Sequence, residues 1–326
     1  MKAKITDVAK LAGVSSTTVS HVLNNTRFVT DELKMKVMRA VEELGYSPDA
    51  TARMFKTGKK MMIGFIVPDI SNAVFATLIE CVESYIALQG YKLVIVNTRD
   101  TIEQEIKAIE SLSCGLMDGL IIASTAHTFE EIQPQIPNDF PIVFVDRTLP
   151  GFEYDSVVLD CYDATYKLLS DMIAAGHRKI GYIVGLPHLS STKDRIKAYQ
   201  DAMLKQKIEY DDSLIRMQNR KNMDAFIETG NLVDVGCTAI IATNTMMTHD
   251  MLNCLEQRGI RLNSDIAVGG FVDSYYGKRF ANSIPVVNEP IEELGKIAAE
   301  IIIEKINNPE KMFPIKQISC NYQRNK

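Results

Sequence analysis

From Met61 onward the chain alternates short apolar runs with longer amphipathic stretches. The runs that read as strands are Ile63–Val67, Lys92–Val96, Gly119–Ile122, Ile142–Val145, Ile180–Val184, Ala239–Ile241 and Ile266–Gly270. Between them lie helix-period stretches such as Phe75–Leu88, Ile102–Leu112, Ala164–Ala174, Arg195–Leu204 and Met247–Gln257, three of them closed by Gly90, Gly176 and Gly259. Strands alternating with helices over this length predict parallel sheets in two doubly wound lobes. Such sheets bind ligands beyond their strand C-terminal ends, so a cleft between the lobes is the expected site.

The first sixty residues follow a different period. Thr6 reads as the cap of a helix from Asp7 to Ala12 with Val8, Leu11 and Ala12 inward. Gly13 permits a tight turn, and Ser15 caps a second helix, Ser16 to Leu23, whose Val19, Val22 and Leu23 pack inward. Asn24-Asn25-Thr26 ends it, and Thr30 starts a third helix that carries Val37, Val41 and Leu44 and stops at Gly45. Three short helices with an Ala-Gly-Val-Ser turn between the first two make an all-α helix-turn-helix domain. The outward face of the second helix carries Ser16, Thr17, Ser20 and His21, side chains sized to reach base edges in a major groove. Any one of them alone would suit a capped surface helix equally well; the whole arrangement favours readout.

Next, Ser47 and Pro48 open a short helix through Lys56. A helix under about 12 residues is marginal alone and orders only with support. Its Met54 and Phe55, beside Arg53 and Lys56, suit apolar wedges for a minor-groove step flanked by phosphate contacts. Packing of Phe55 on its own domain is the competing reading.

Composition adds three constraints. At 326 residues, 46% apolar and 24% charged, the chain is globular and long enough for two or three units. The net charge of −5 hides an asymmetry: residues 1–60 hold eleven Lys/Arg against six Asp/Glu, while the remainder holds 25 against 35. A basic module on an acidic body is expected when only one end meets phosphate. The six cysteines are scattered without a C-x-x-C pair, so neither a disulfide framework nor a metal site is expected; Cys161 falls near the cleft but suits ordinary packing. No apolar run reaches the ~20 residues of a bilayer span, and the N-terminus turns polar before a signal core can form, which predicts a cytoplasmic chain with no membrane partner.

The segments Ile5–Ser15 and Thr17–Asn24 resemble the headpiece of the lactose-repressor family, and Thr17–His21 with Asn24–Val29 is similar to its purine-repressor branch. Ile63–Asn72 and Gly176–Ile183 resemble the family's two core signatures. The resemblance implies a headpiece over 1–46, a hinge helix and linker over 47–60, and a two-lobed, periplasmic-binding-protein-like core over 61–326. Its N-lobe would comprise about 61–159 and 291–318, and its C-lobe about 160–290 and 319–326. It implies DNA contacts from Thr6, Ser16, Thr17, Ser20, His21, Asn24, Arg27, Tyr46, Arg53, Phe55 and Lys56, where Phe55 replaces the family's usual leucine. The effector cleft would be lined by Phe75, Asp146, Arg147, Asp160, Ser191, Arg195, Asn244, Asp273 and Glu289. Carboxylates there accept from hydroxyls and Arg195 can grip a carboxylate, phosphate or ring oxygen, so a sugar, sugar phosphate or sugar acid is the expected effector.

Two positions depart from the family. Gly270-Phe271-Val272-Asp273 stands for Gly-Phe-Asp-Asp, leaving Asp273 as stand-in for the carboxylate lost at Val272, and Asn244-Thr245 stands for Asn-Asp. With no tryptophan to stack on a ring, these departures weigh against a simple neutral monosaccharide and leave a phosphorylated sugar, sugar acid or other metabolite open. The chain carries no H-E-x-x-H, G-x-S-x-G or Walker motif, so no catalysis, cofactor or metal is expected. The rival reading is a solute-binding receptor of a transport system, which shares the two-lobed core but begins with an export signal. The expectation is a homodimeric repressor on a pseudo-palindromic double-stranded operator. The family resemblance leaves a phosphocarrier co-regulator open. The family's tetramers add a leucine-heptad tail that Asn321–Lys326 does not provide.

Overall fold

The computed structural model describes residues 3–24, 27–46, 58–209, 211–217, 224–273 and 283–324, with the backbone only for Asn24. Expectations for Arg53, Phe55, Lys56 and the Asn24 side chain lie outside the described residues. By contacts the chain divides into Met1–Lys60 and Met61–Lys326.

In the first unit, α1 (Ile5–Ala12), α2 (Ser16–Asn24) and α3 (Asp31–Glu43) enclose a core of Val8, Ala9, Val19, Val22, Val37 and Ala40. Helix α1 begins two residues before the sequence expectation. Lys4 is its N-cap, and the Asp7 carboxylate reaches back to accept the Lys4 N–H at 2.8 Å. An ionised acceptor at the third helical position is a stronger cap than the Thr6 hydroxyl, which lies exposed in the first turn. This start makes Ile5, Val8, Ala9 and Ala12 the inward stripe and turns Leu11 out, 46% exposed. Gly13 adopts φ +68° while Val14 N–H returns to the Ala9 carbonyl at 3.0 Å, a left-handed stop that a side chain would strain. Ser15 caps α2 as expected, accepting the Thr18 N–H at 3.1 Å.

The second unit contains two six-stranded sheets. The first is ordered β11-β5-β4-β3-β1-β2: Lys316–Ser319, Ser156–Asp160, Ile142–Val145, Gly119–Ile122, Met62–Val67 and Lys92–Asn97, all parallel. The second is ordered β12-β10-β9-β8-β6-β7: Asn321–Gln323, Val286–Glu289, Ala267–Asp273, Ala239–Ala242, Ile180–Val184 and Ile215–Met217, with only β12 antiparallel. Helices α4 (Ala73–Leu88), α5 (Ile102–Ser113), α6 (Tyr162–Ala174), α7 (Ser190–Lys205), α8 (Ala225–Asp234), α9 (Thr245–Gln257) and α10 (Ile291–Asn307) complete the lobes. The chain passes between the sheets after β5, after β10 and after β11.

The strands are apolar because helices cover both faces: β1, β3, β4 and β6 are buried almost throughout. Helix α10 returns from the second sheet to pack along α4, and Gly295 permits their approach, since a Cβ there would meet Cys81 Cβ at 2.8 Å. At its far end Lys305 is buried on Asp155, Nζ to Oδ2 2.6 Å, and donates also to the Lys311 carbonyl at 3.1 Å. Asp155 holds a left-handed backbone, φ +47°, and its other oxygen accepts the Phe313 N–H at 2.9 Å. The pair ties the last helix to the first sheet. No described helix is long and apolar enough to cross a membrane.

Candidate functional site

On the headpiece, Ser16, Thr17, Ser20 and His21 share the outward side of α2. Thr17 is exposed and the other three are half-buried, while Val19 and Val22 hold the opposite side in the core. Thr6 and Arg27 are exposed, and Tyr46 packs its ring on the core beside Leu44. A helix anchored by two valines and presenting short donors and an imidazole has the chemistry of a base-reading surface. The exposed Phe28, 92% accessible, went unnoticed in the sequence because it stands in no periodic stripe.

In the second unit a cavity of about 240 Å³ opens where the C-terminal ends of both sheets face one another. Phe75, Asp146, Arg147, Ser191, Arg195, Asn244 and Glu289 line it together. Four helices begin at its wall, and three are capped by side chains: Asn72 Oδ1 accepts the Val74 N–H at 3.1 Å, Asp224 Oδ1 the Phe226 N–H at 2.9 Å, and Asn244 Oδ1 the Met247 N–H at 2.7 Å. Capping fixes the Asn244 amide and leaves its Nδ2 as the group offered to the cavity.

The two guanidiniums come from opposite lobes. Arg147 donates to the Ser124 carbonyl at 2.8 Å and lies 3.5 Å from Asp146 and 3.7 Å from Asp100. Both carboxylates sit on left-handed residues, φ +69° at Asp146 and +52° at Asp100, backbone strain of the kind that gathers at binding sites. Arg195 is held by the Thr243 carbonyl at 2.7 Å, by Glu289 at 2.5 Å and by the Phe271 ring, 4.8 Å from its centroid. Burial opposes the Arg195 charge, but Glu289, with Cys161, Asp146 and Cys320 beyond it, holds the guanidinium above its ordinary value. Burial pushes Glu289 up to about 7 despite Arg195, with Asp146 and Asp273 adding to the rise. At the rim, burial and then Asp224 raise Asp250.

Two expected lining residues are placed elsewhere. Asp160 turns its carboxylate to the start of α6, accepting the Tyr162 N–H at 3.1 Å. Asp273 is fully buried in β9 beside Glu289, behind the cavity wall, and its N–H donates to Thr245 Oγ1 at 3.2 Å. Val272, at the position of the family's carboxylate, is fully buried in the C-lobe core. Asp69, Asp100, Asn72, Leu186, Thr192 and Asp250 join the lining without having been singled out. Asp69 and Asn72 lie within the quoted Ile63–Asn72 signature; the others had no signal. Cys161 is buried, its thiol 3.9 Å from Glu289. A larger hollow of about 520 Å³ on the N-lobe is walled by Phe129, Phe140, Phe152 and prolines; its one charged pair, Lys305 with Asp155, is engaged with itself, so the interlobe cavity is the stronger candidate.

Comparison with known proteins agrees with this division. Residues 4–49 match the model of bacterial regulatory proteins of the lacI family, and residues 60–326 match that of periplasmic binding proteins and the sugar binding domain of the LacI family. The HTH-type transcriptional repressor PurR of Vibrio atlanticus is 33% identical over 312 residues, 94% of this chain and 93% of the relative. The ribose operon repressor of Haemophilus influenzae is 29% identical over 95% of this chain and 94% of its own. The crystal structure of the lac repressor dimer bound to operator and an anti-inducer superposes with a TM-score of 0.82 at 20% identity, over 100% of this chain and 99% of that one.

Proposed function

The chain belongs to the LacI family of bacterial regulatory proteins, and from that premise we propose that it is a cytoplasmic, homodimeric repressor released from or driven onto its operator by a neutral, polyhydroxylated small molecule. The observation that carries the effector class is the charge of the cavity. Asp69, Asp100, Asp146, Asp250 and Glu289 face only Arg147 and Arg195. With Glu289 near 7, the other four carboxylates balance the two guanidiniums and about +0.5 from each of four helix N-termini, so the cavity offers an added phosphate or carboxylate no net positive charge. Hydroxyls satisfy the same groups, donating to the acids and accepting from the guanidiniums. The volume suits a single sugar ring. The ribose operon repressor among the relatives supports a monosaccharide.

A thermal-shift series with D-ribose, D-glucose, D-ribose 5-phosphate and D-gluconate tests the class. A neutral sugar should raise Tm and alter operator retention in a mobility shift, and the charged analogues should do neither. A response confined to the phosphate or the acid overturns the reading. Arg147→Ala should weaken the responding sugar by roughly tenfold or more, the loss of a charged hydrogen bond.

The DNA-reading residues are Ser16, Thr17, Ser20 and His21, with Thr6, Arg27 and Tyr46 toward the backbone. His21→Ala should relax preference at one half-site position by about 1–3 kcal/mol, seen by selection from randomised half-sites; an unchanged consensus rejects the assignment. Effector binding need couple to operator binding by only about 1–3 kcal/mol.

A further inference from the structure

Residues 123–127 leave the C-terminal end of β3 and do not line the cavity. They are nevertheless held by an unusual anchor. Glu105, on α5, is fully buried. Its Oε1 accepts the Ser124 hydroxyl at 2.5 Å, and its Oε2 accepts both the N–H and the hydroxyl of Thr125 at 2.6 Å. Ser124 Oγ in turn accepts the Ala126 N–H at 3.1 Å. Three donors converge on one side chain, a task for an acceptor-only group. A connection between a helix and a strand does not require a buried carboxylate, and the cost of burying one points to a duty at the loop's far end.

That end makes two contacts with consequences for the cavity. The Ser124 carbonyl accepts from Arg147 Nη1 at 2.8 Å, so the loop sets the direction of one of the two guanidiniums. The loop's last residue, His127, stacks on His188 of the opposite lobe, ring centroids 4.3 Å apart and 28° from parallel. Beside this stack the Thr148 N–H donates to Ser190 Oγ at 3.0 Å, a second direct bond between the lobes. His188 and Ser190 flank Leu189 and Ser191 of the cavity wall.

We propose that Glu105 is a positioning residue for the effector cavity: by pinning Ser124 and Thr125 it aims Arg147 inward and holds His127 against His188, clasping the lobes across the front of the site. The proposal rests on the reading of that cavity as the effector site. Glutamine at 105 keeps the volume but turns one acceptor into a donor that faces other donors, which frees the loop from both duties.

Hydrogen exchange on the full-length protein tests this without a ligand. In Glu105→Gln, exchange should rise at least about tenfold in residues 186–190 of the opposite lobe, read at Leu189, whose N–H donates to the Leu186 carbonyl at 3.2 Å, and not only in 123–127. His127→Ala should reproduce the rise in 186–190 while residues 102–113 stay protected. If 186–190 exchange as in the unaltered protein, Glu105 is a local staple and the proposal fails. Arg147→Ala combined with Glu105→Gln should be non-additive at 186–190, and additivity removes Arg147 from the chain of effect. Should Glu105→Gln not fold, Thr125→Val withdraws one donor at constant volume and is read the same way. Failure of the cavity reading looks different: Arg147→Ala then keeps the neutral-sugar response whatever the exchange pattern.

Discussion

Arg195→Ala should abolish the effector response and cost the core about 3–5 kcal/mol, because it leaves Glu289 buried without its partner. Arg195 pairs with Glu289 at 2.5 Å. The two losses can be separated. Replacing both members, Arg195→Met with Glu289→Leu, removes the buried charge together with its partner and should restore most of the stability, while the response stays absent. The sign of the pH dependence also follows. Burial already raises Glu289 from 4.5 to about 7, and loss of Arg195 raises it further. A carboxyl that binds its proton more tightly folded than unfolded loses stability as pH climbs from the unfolded value through the folded one. Both proteins lose stability from 4.5 to about 7, and only the variant goes on losing it above that value, so the deficit in Arg195→Ala should be level below about pH 7 and grow above it, as followed by urea unfolding. A deficit independent of pH would mean that Glu289 is not the stranded group.

Lys305→Met should be the most destabilising change outside the cavity. It withdraws the ammonium from Asp155 at 2.6 Å and from the Lys311 carbonyl, leaving a carboxylate only 4% exposed at the wall of the N-lobe hollow, on a backbone already held at φ +47°. A cost of about 3–5 kcal/mol is expected, visible as a lowered urea midpoint. Asp155→Asn, which keeps an acceptor for Phe313 N–H, should cost less. Base preference of the headpiece should be unaltered by either, since the lesion removes none of its side chains. A midpoint equal to that of the unaltered protein would place solvent at Lys305.

These two pairs show where the sequence could be read and where it could not. Strands β1, β3, β4, β6 and β8 announce themselves as apolar runs because helices bury both their faces. Strands β7, β11 and β12 are edges of three or four residues, and Lys316–Ser319 buries only Ile318. A strand with a wet face and so short a span leaves no run to detect. Strand β10 carries only two consecutive apolar residues, and β5 follows an irregular loop that masks its start. The cavity divides likewise. Arg147, Arg195 and Asn244 stood in recognisable local contexts, whereas Glu105 lies in an ordinary amphipathic helix and acquires its meaning only from Ser124 and Thr125, some twenty residues on. Asp273 shows the opposite failure: alternation along β9 sends a residue of the right chemistry to a neighbouring but enclosed position.

The three passages between the sheets have a consequence for how the protein is made. Neither lobe is a continuous stretch: the first sheet lacks α10 and β11 until residue 319 has been synthesised, and the second lacks β12 until residue 323. During translation the ribosome therefore releases two incomplete sheets with uncovered faces, α4 without α10 and β5 with an open edge. Pairings that span over 150 residues close slowly, and the interval exposes apolar strands to aggregation. A chain cut near residue 290 would not yield one finished lobe and one missing one, but two sheets that each await the same last segment.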